Sequence, residues 1–294
     1  MYKQNTVKAM ENGGLYLVPT PIGNLDDMTF RAVEILKMVD YILAEDTRVT
    51  QKLLNAFSIV NKVVSCHEHN QFARIAEIIA DIENGKQIAL VSDAGMPCIS
   101  DPGSIIVEAL IAKKLPFTAL PGASASITLF AVSGLGQKGR FVFHGFLPPK
   151  RNEKLEMLKL YEKLEMPVIF YESPHRIVKT LIMLKEALGG ESKICLAREL
   201  TKLYETLIWF TLDEIDAGDF EELTQWKGEV AFAILPIRTE HNTHQKVDYC
   251  WELSELIREG MHPKLAIKAI AEKTGEPKNI IYANWQIYKE KKQD

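Results

Sequence analysis

The chain of 294 residues carries a formal net charge of −4, with 47% hydrophobic and 25% charged residues, which predicts a globular protein of two or three domains. No apolar run approaches the roughly 20 residues that span a bilayer, and the N-terminal residues lack the apolar core of a signal peptide, so we expect a cytoplasmic protein without a membrane span. The acidic balance argues against a protein that works mainly by coating nucleic-acid phosphates, although a local basic patch is compatible with it.

The first 121 residues alternate between short apolar runs and helical patterns. The predicted strands are 14–19, 41–44, 62–65, 87–92 and 117–120. The predicted helices are 29–38, 47–56, 72–84 and 103–113. Because short strands separated by helices of this length pair in parallel, we predict an α/β domain over residues 1–121, with helices on both faces of its sheet.

The alternation continues over residues 122–238, where two long β-runs near the end indicate a mixed sheet. The predicted helices are 124–132, 152–164 and 174–188, and the predicted strands are 140–144, 168–171, 193–197, 204–210 and 229–236. After a polar linker, three further helices are predicted at 247–259, 263–274 and 278–290. We therefore predict a second α/β domain over 122–238 and a helical domain over 246–294, whose pattern fits a helix-turn-helix or a plain helical bundle.

The stretch VSDAGMPCISDPGS at residues 91–104 leaves a predicted buried strand through aspartates, prolines and glycines. Asp101 is expected to be the N-cap of the next helix, with Pro102 at the first helical position, whereas capping gives Asp93 no role. Ligands bind at the carboxyl ends of parallel strands, and the following strand also ends in a small-residue turn, 120–126. The two loops predict a site for a flat, uncharged or mildly cationic ligand; two tight turns without a ligand are the alternative.

Charged side chains follow several other strand ends. Asp46 fits the N-cap of the next helix, and Arg48 is then unfavourably placed against the helix dipole, which hints at a binding role. In the second domain, capping does not explain His175 and Arg176 at a predicted helix start, and the stretch 197–205 carries two cations and two acids. We expect these clusters to face one crevice between the domains.

Two further motifs have plainer explanations. The stretch 134–139 satisfies G-x-G-x-x-G, but a predicted helix precedes it and a strand follows, whereas a dinucleotide site needs the reverse order. The run Cys66-His67-Glu68-His69 has the residue types of a metal site, but no second cluster pairs with it, which favours a polar loop or the border of a substrate cleft. The four cysteines lie far apart, which argues against a disulfide framework.

Six stretches together resemble the tetrapyrrole-methylase superfamily and, more narrowly, the ribosomal RNA small subunit methyltransferase I family. They are YLVPTPIGNLDDMT, AEDTR, VSDAGMPCISDPG, LPGASA, FYESPHR and ARELTKLYE, and the resemblance runs from about residue 14 to residue 288. It implies two α/β domains of the tetrapyrrole-methylase type with the active-site cleft between them, S-adenosylmethionine as methyl donor, no metal, and a homodimer. It also implies 2′-O-methylation of a cytidine ribose in the decoding region of 16S ribosomal RNA.

The resemblance implies donor-binding residues at the strand ends. The superfamily's G-D-P loop corresponds to residues 92–95 and its later small-residue turn to 121–125, whereas the first loop reads Pro-Ile-Gly-Asn in place of G-x-G-x-G-D. The expected donor contacts are Pro21, Asp93, Ala94, Gly95, Met96, Gly122, Ser124, Ala125, Tyr171 and Ala197.

A ribose hydroxyl is a poor nucleophile until a base within hydrogen-bond reach accepts its proton. The expected catalytic candidates are Glu45, Asp46, Lys202 and Glu205, with Glu199 and His175 as further candidates. Lys202 needs a lowered pKa for this role, which burial supplies. The sequence leaves the choice among them open.

Guanidinium groups bind phosphate through two hydrogen bonds, so arginines at the crevice are expected to hold RNA. The expected substrate-binding residues are Arg48, His175, Arg176 and Arg198. The alternative is that these arginines pair with Glu172 and Glu199 at the domain interface. From residue 264 onward seven lysines oppose four acids, which fits a modest RNA-binding surface or a solvated helical face.

Three functions remain open at this point. The first is an RNA 2′-O-methyltransferase acting on 16S ribosomal RNA or the small ribosomal subunit. The second is a small-molecule methyltransferase for a tetrapyrrole-type substrate, which the basic helical tail disfavours. The third is a non-catalytic ribosome-binding protein, which tight binding of the donor would contradict.

Overall fold

The computed structural model describes residues 2–136, 139–161, 166–215, 217–237, 249–274 and 278–290. These fall into two units, Met1–Ile237 and Arg238–Asp294. The first unit contains two five-stranded sheets, and the second is helical. Within the described residues, no helix combines the length and apolarity needed to cross a membrane.

The first sheet is wholly parallel and has the strand order β3-β2-β4-β1-β5. Its strands are β1 (Gly14–Leu17), β2 (Tyr41–Ala44), β3 (Val63–Ser65), β4 (Gln87–Val91) and β5 (Phe117–Ala119). Its helices are α1 (Thr6–Met10), α2 (Phe30–Met38), α3 (Thr47–Ala56), α4 (Gln71–Glu83) and α5 (Ser104–Lys113), with a 3₁₀ turn at Leu25–Asp27. This is the parallel sheet that the sequence predicts.

Alternation along β1 shows how the sheet is covered on both faces. Tyr16 packs in the cluster that includes Leu36 of α2 and Leu54 of α3, whereas Leu15 packs in the cluster that includes Ile78 of α4. Successive strand side chains point to opposite faces, so each face buries its own apolar layer under two helices. All four residues of β1 and of β2 are buried.

The second sheet is mixed and has the order β6-β7-β10-β8-β9, with β6 and β7 parallel and the remaining pairs antiparallel. Its strands are β6 (Val142–Phe146), β7 (Val168–Glu172), β8 (Lys193–Arg198), β9 (Thr206–Thr211) and β10 (Val230–Leu235). Its helices are α6 (Ala125–Ser133), α7 (Arg151–Tyr161), α8 (Ile177–Leu188) and α9 (Ala217–Thr224). The predicted mixed sheet is confirmed.

The helical unit consists of α10 (Tyr249–Arg258), α11 (Pro263–Thr274) and α12 (Lys278–Glu290). Leu253, Ala266, Ile270 and Ile281 form its small core, and Nε1 of Trp285 donates a 3.1 Å hydrogen bond to Oγ of Ser254. Three short helices around one apolar cluster agree with the predicted helical segments.

One predicted helix cap and one predicted helix start are wrong. Gly103, not Asp101, precedes α5; its φ is +124°, and its N–H donates to Oε1 of Gln71 at 3.0 Å, so the cap comes from another helix. A Cβ at Gly103 would lie 2.5 Å from Cδ2 of Leu90, so close packing on β4 fixes this turn. Helix α8 begins at Ile177 rather than at residue 174, after a turn closed on the carbonyl of Ser173.

Other features lie beyond what the sequence patterns predict. Helices α1 and α9 were not expected, and the domain boundary at residue 121 stays a prediction. The predicted linker 238–245 and the glutamine and lysine inside the G-x-G-x-x-G stretch lie outside the described residues. The helix before that stretch and the strand after it are present as predicted.

Candidate functional site

A cavity of about 370 Å³ lies where strands of both sheets end. It is lined by Ile22, Glu45, Asp93, Ala94, Gly95, Met96, Ile99, Ser100, Asp101, Ser124, Ala125, Phe146, Tyr171, Glu172, Ala197, Leu200, Glu229, Val230 and Ala231. These residues follow β2 and β4, precede or open α6, and lie at the ends of β7, β8 and β10. The carboxyl ends of strands are where α/β proteins bind ligands, so this cavity is the candidate active site.

The loop after β4 owes its shape to pairing with the loop after β1. Thr20 and Gly95 exchange two backbone hydrogen bonds of 3.0 Å each, and Oγ1 of Thr20 donates to the carbonyl of Ser92 at 3.1 Å. Gly95 has a φ of +81°, and a Cβ there would lie 3.1 Å from Cγ2 of Ile22. The N–H of Gly95 therefore donates to the carbonyl of Thr20 and is not available to a ligand. The loop contributes a wall of the cavity instead.

The turn before α6 forms the neighbouring wall. A Cβ on Gly122 would lie 2.6 Å from Cβ of Pro19, so the turn packs on the end of β1 at a distance that favours glycine. Ser124 precedes α6, and its hydroxyl lies 3.2 Å from the hydroxyl of Ser126. Asp93 and Ser124 line the same cavity, so the structure brings the two small-residue loops together, although Gly122 itself is not a lining residue.

Three carboxyl groups give the cavity an acidic wall. Burial and the neighbouring charges of Glu45 and Asp93 raise the pKa of Asp101 to about 6. Burial also raises the pKa of Glu45, as does the charge of Asp93, and burial raises the pKa of Asp93. Each carboxylate is therefore costly to ionise in this cavity, and a cationic ligand would relieve that cost.

A fourth carboxylate, Glu172, is fully paired. Its side chain is buried, and Oε1 lies 2.6 Å from Nη2 of Arg176. The amide of Ser173 donates to Oε1 and the hydroxyl of Thr180 donates to Oε2, each at 2.8 Å. Of the two readings left open for Arg176, pairing with Glu172 is the one that the structure contains.

Asp46 and Arg48 form a local pair at the start of α3. Asp46 caps the helix by accepting the amide of Arg48 at 2.8 Å, and its Oδ2 lies 2.6 Å from Nη2 of Arg48. The hydrogen bonds from Arg48 lower the pKa of Asp46 to about 2. Arg48 remains exposed, and neither Arg48 nor Asp46 lines the cavity.

The turn after β8 is held by a network around Lys202. Its Nζ lies 2.9 Å from Oε1 of Glu199 and 3.0 Å from Oε2 of Glu229. Burial alone would lower the pKa of Lys202, but these two hydrogen bonds outweigh it and raise the pKa instead. Glu205 accepts the amide of Thr201 at 2.6 Å. A raised pKa does not favour Lys202 as a base, and neither Lys202 nor Glu205 lines the cavity.

The remaining expected site residues do not line the first cavity. Nε of Arg198 donates to the carbonyl of Lys227 at 3.0 Å, and its guanidinium lies 5.7 Å from the ring centroid of Trp226. His175 is exposed, and Pro21 lines a second cavity instead of the first. The first cavity thus gathers Glu45, Asp93, Ala94, Gly95, Met96, Ser124, Ala125, Tyr171 and Ala197 from the expected set.

The run from Cys66 to His69 lies at the turn between β3 and α4. Cys66 is buried, and burial raises the pKa of its thiol to about 11, while the amide of His67 donates to Oδ1 of Asn70 at 2.8 Å. Across the described residues, no group of three or more His, Cys, Asp or Glu side chains is arranged to hold a metal ion.

With this geometry established, comparison with known proteins identifies the family. The sequence model of the family described as Tetrapyrrole (Corrin/Porphyrin) Methylases matches residues 14–216. The chain belongs to the tetrapyrrole methylase family. Ribosomal RNA small subunit methyltransferase I of Bacillus subtilis is 41% identical over 285 residues, covering 94% of each chain. The proteins of that name from Synechocystis and Streptococcus pyogenes serotype M1 are 42% and 44% identical, covering 92% and 88% of this chain and 96% and 90% of theirs.

Solved structures agree with the fold of this tetrapyrrole methylase. The methyltransferase CobJ superimposes with a TM-score of 0.57 at 17% identity, covering 76% of this chain and 93% of that one. Uroporphyrin-III C-methyltransferase from Thermus thermophilus, in complex with S-adenosylhomocysteine, gives 0.53 at 15% identity, covering 76% and 97%. At these identities the likeness concerns the fold alone, and it confirms the predicted fold class.

The cavity of this tetrapyrrole methylase fits S-adenosylmethionine, which supplies a methyl group carried on a positively charged sulfur. The walls are largely small or apolar residues such as Ala94, Ala125 and Ala197, and the acidic side chains of Glu45, Asp93 and Asp101 suit a ligand with a sulfonium and an ammonium group. Its volume lies in the range of roughly 300–1,000 Å³ that small-molecule sites occupy.

Sequence reasoning missed several lining residues for identifiable reasons. Asp101 was predicted to cap α5, but Gly103 occupies the N-cap position. The place of Asp101 in the loop after β4 was a signal that could have identified it as a lining residue. Ile22 lines the cavity from the loop after β1. The neighbouring Gly23 packs closely on Lys202 and Thr201, so this loop lies directly on the turn after β8. Glu229 and Val230 come from an antiparallel strand whose starting end meets the cavity, which no local pattern reveals.

The substitution Asp101→Asn is expected to raise the free energy of unfolding above about pH 6 and to leave it unchanged below about pH 4. Burial raises the pKa of Asp101 to about 6, so the folded protein keeps a proton that the unfolded chain has already lost. Stability of the unaltered protein therefore falls between about pH 4 and pH 6, by about 1–2 kcal/mol once solvent screening of this partly exposed carboxyl is counted, and asparagine removes that loss. Thermal denaturation from pH 4 to pH 8 measures it; a difference between the two proteins that stays constant with pH would contradict the assignment.

Proposed function

We propose that this enzyme methylates the 2′-hydroxyl of a cytidine ribose in 16S ribosomal RNA near the decoding centre, with S-adenosylmethionine bound in the cavity that Asp93 and Ser124 line. The chain is a methyltransferase that uses S-adenosylmethionine and acts on ribosomal RNA of the small subunit. The observation that carries this is its identity of 41% to a ribosomal RNA small subunit methyltransferase I over 94% of both chains. The nucleotide and the ribose oxygen are the proposed part.

The proposed donor site uses residues that line the cavity. Asp93 to Met96 form one wall, Ser124 and Ala125 a second, and Tyr171 and Ala197 a third. The acidic side chains of Glu45, Asp93 and Asp101 favour binding of the cationic donor, and in-line placement of donor and acceptor supplies much of the rate. Pro21 and Gly122 do not line this cavity; Pro21 lines the second cavity, and Gly122 packs against Pro19.

We rank the candidate bases by their surroundings. Glu45 lines the cavity and has a raised pKa, which suits a proton acceptor. Asp46, with a pKa lowered to about 2 by Arg48, is a weak base. Lys202 stays charged in its pairs with Glu199 and Glu229, and Glu205 is bound to a backbone amide. Among the four original candidates, Glu45 is the one that faces the proposed donor.

RNA contacts are proposed for cationic side chains in each of the two units. Arg48 is 86% exposed by side chain and keeps guanidinium donors free for phosphate beyond its pair with Asp46. Arg198 and His175 are also proposed contacts, whereas Arg176 is already paired with Glu172. In the helical unit Lys268 and Lys273 face Glu272 and Glu252, so the exposed Lys264 and Lys278 are the lysines we propose for RNA.

We further propose that the enzyme works as a homodimer on the small ribosomal subunit in the cytoplasm. This rests on the resemblance to the family. Sedimentation of the purified chain should give about twice the 33.2 kDa of one chain, and a monomer at micromolar concentration would contradict it.

A labelled donor tests the proposed reaction. The enzyme is incubated with labelled S-adenosylmethionine and, separately, with small ribosomal subunits, free 16S ribosomal RNA and a tetrapyrrole precursor. We expect label in the RNA, recovered after nuclease digestion as 2′-O-methylcytidine. Label that enters only the tetrapyrrole precursor would contradict the proposal, and label on a base instead of a ribose would contradict its finer part.

A further inference from the structure

A second cavity, of about 350 Å³, lies between the loop after β1 and helix α3. It is lined by Thr20, Pro21, Gly23, Leu25, Val49, Thr50, Lys52, Leu53, Ala56, Ser92 and Asp93. Asp93 is the one described residue that lines both this cavity and the first. A group bound in either cavity therefore contacts the same carboxylate.

Asp93 is held in place while keeping an oxygen available. Its Oδ1 accepts the backbone amide of Asp46 at 3.0 Å, and no described residue donates a hydrogen bond to its Oδ2. It follows β4 directly, next to the buried Ser92, which fixes the backbone. A carboxylate anchored through one oxygen has its second oxygen free to accept a proton from a ligand.

The chemistry of the second cavity suits a nucleoside. Pro21, Leu25, Val49, Leu53 and Ala56 supply apolar surface for the faces of a base. The exposed positions of Val49 and Ala56 on α3 leave the cavity open to solvent. A base that is part of an RNA chain can therefore enter the cavity from solvent.

Two cationic side chains, Arg48 and Lys52, lie at or beside the edge of the second cavity, where the RNA chain would continue. Lys52 lines both this cavity and an adjoining open surface formed with Arg48, Gln51 and Asn55. Helix α3 carries Arg48 and Lys52 and no acidic residue, and no carboxylate among the described residues pairs with Lys52. Such a rim favours phosphates on either side of a bound nucleoside.

We propose that the second cavity seats the target nucleoside of the RNA and that Asp93 is the catalytic residue that accepts the proton of its ribose hydroxyl. This inference rests on the proposed function. The O–H bond breaks and its proton passes to Asp93; the oxygen forms a bond to the methyl carbon, and the methyl–sulfur bond breaks with its electron pair going to sulfur. The products are a methyl ether and a neutral thioether, and Asp93 then returns its proton to water.

The surroundings of Asp93 agree with this role. Partial desolvation raises the pKa of Asp93, which makes it a better proton acceptor than a fully solvated aspartate. Glu45 lines the first cavity together with Asp93, does not line the second, and is the alternative acceptor. Asp93 borders both cavities, so its assignment as the proton acceptor requires the second cavity to hold the substrate. The assignment of Glu45 does not.

Two variants and one matched control test the proposal. Asp93→Asn preserves the oxygen that accepts the Asp46 amide but removes the basic oxygen. Val49→Trp fills the second cavity from an exposed helix position, and Val60→Trp makes the same change at an exposed site, 98% accessible, that lines neither cavity. For each we measure S-adenosylhomocysteine affinity by calorimetry, affinity for small ribosomal subunits, and the methylation rate.

For Asp93→Asn we expect a rate at least about 100-fold lower, with donor-product affinity within about 10-fold and subunit affinity nearly unchanged. For Val49→Trp we expect unchanged S-adenosylhomocysteine affinity and a KM for the subunit raised at least about 10-fold. Val60→Trp should match the unaltered enzyme in all three.

Full activity of Asp93→Asn, or a normal subunit KM for Val49→Trp, overturns the inference while the proposed function stands. Loss of S-adenosylhomocysteine binding in Val49→Trp overturns it too, because the second cavity would then hold the donor. If the unaltered enzyme transfers no methyl group to RNA, the proposed function itself fails.

Discussion

Replacing Ser124 with tryptophan is expected to weaken S-adenosylmethionine binding at least about 100-fold, a loss of about 2.7 kcal/mol or more, while the protein stays folded. Ser124 is partly exposed, precedes α6 and lines the first cavity. It is not part of the apolar cluster that its neighbours Ala123 and Ala125 contact. An indole at this position occupies space that the donor needs. Isothermal titration with S-adenosylhomocysteine measures the loss.

The control for this variant is tryptophan at an exposed serine outside the cavity. Ser104 begins α5, is exposed and does not line the cavity, so Ser104→Trp should bind normally. Circular dichroism and thermal denaturation establish that both variants are folded. Equal donor affinity in the Ser124 variant and the unaltered protein would show that the donor binds elsewhere.

Replacing Glu172 with alanine is expected to lower the free energy of unfolding by about 3 kcal/mol, because one partner of a buried ion pair is removed. The side chain of Glu172 is 0% exposed, and it accepts hydrogen bonds from Ser173 and Thr180 as well as pairing with Arg176. The expected loss of stability lies at the lower end of the range for buried pairs, because the side chain of Arg176 is 42% exposed and water can solvate it once Glu172 is removed. Thermal denaturation should show a fall of roughly 6–12 °C in Tm.

An exposed ion pair provides the comparison. Arg151 and Glu186 are paired at 2.7 Å, but their side chains are 65% and 55% exposed. Glu186→Ala should therefore cost less than about 1 kcal/mol, as surface pairs generally do. If both substitutions cost the same, the network around Glu172 contributes little, and its burial beside the cavity would need another explanation.

The secondary structure and the layering of the first unit followed from periodicity. Tyr16 and Leu15 alternate between two apolar clusters, as the short β-rich run predicts, and Leu36 and Leu54 place two helices on one face. The rule that ligands bind at the carboxyl ends of parallel strands was enough to put Asp93 and Ser124 at a common site. Those inferences depend on local patterns and on a general property of such sheets.

The side-chain partners across the cavity could not be predicted in the same way. The pairing of Thr20 with Gly95, and the packing of Gly23 against Lys202, join segments far apart in the sequence. Glu229 reaches Lys202 because β10 lies antiparallel beside β8, a register that no short motif encodes. The role of Asp101 was missed because a local capping pattern offered a sufficient explanation and tertiary packing around Gly103 replaced it.

The central claim is that the methyl donor binds between the loop after β4 and the start of α6. A crystal structure with S-adenosylhomocysteine bound tests it most directly. We predict that the ligand fills the first cavity, in contact with residues 93–96 and with Ser124 and Ala125, leaving the second cavity beside α3 free for RNA. Density for the ligand in the second cavity, or anywhere that Asp93 and Ser124 do not both border, would contradict the account.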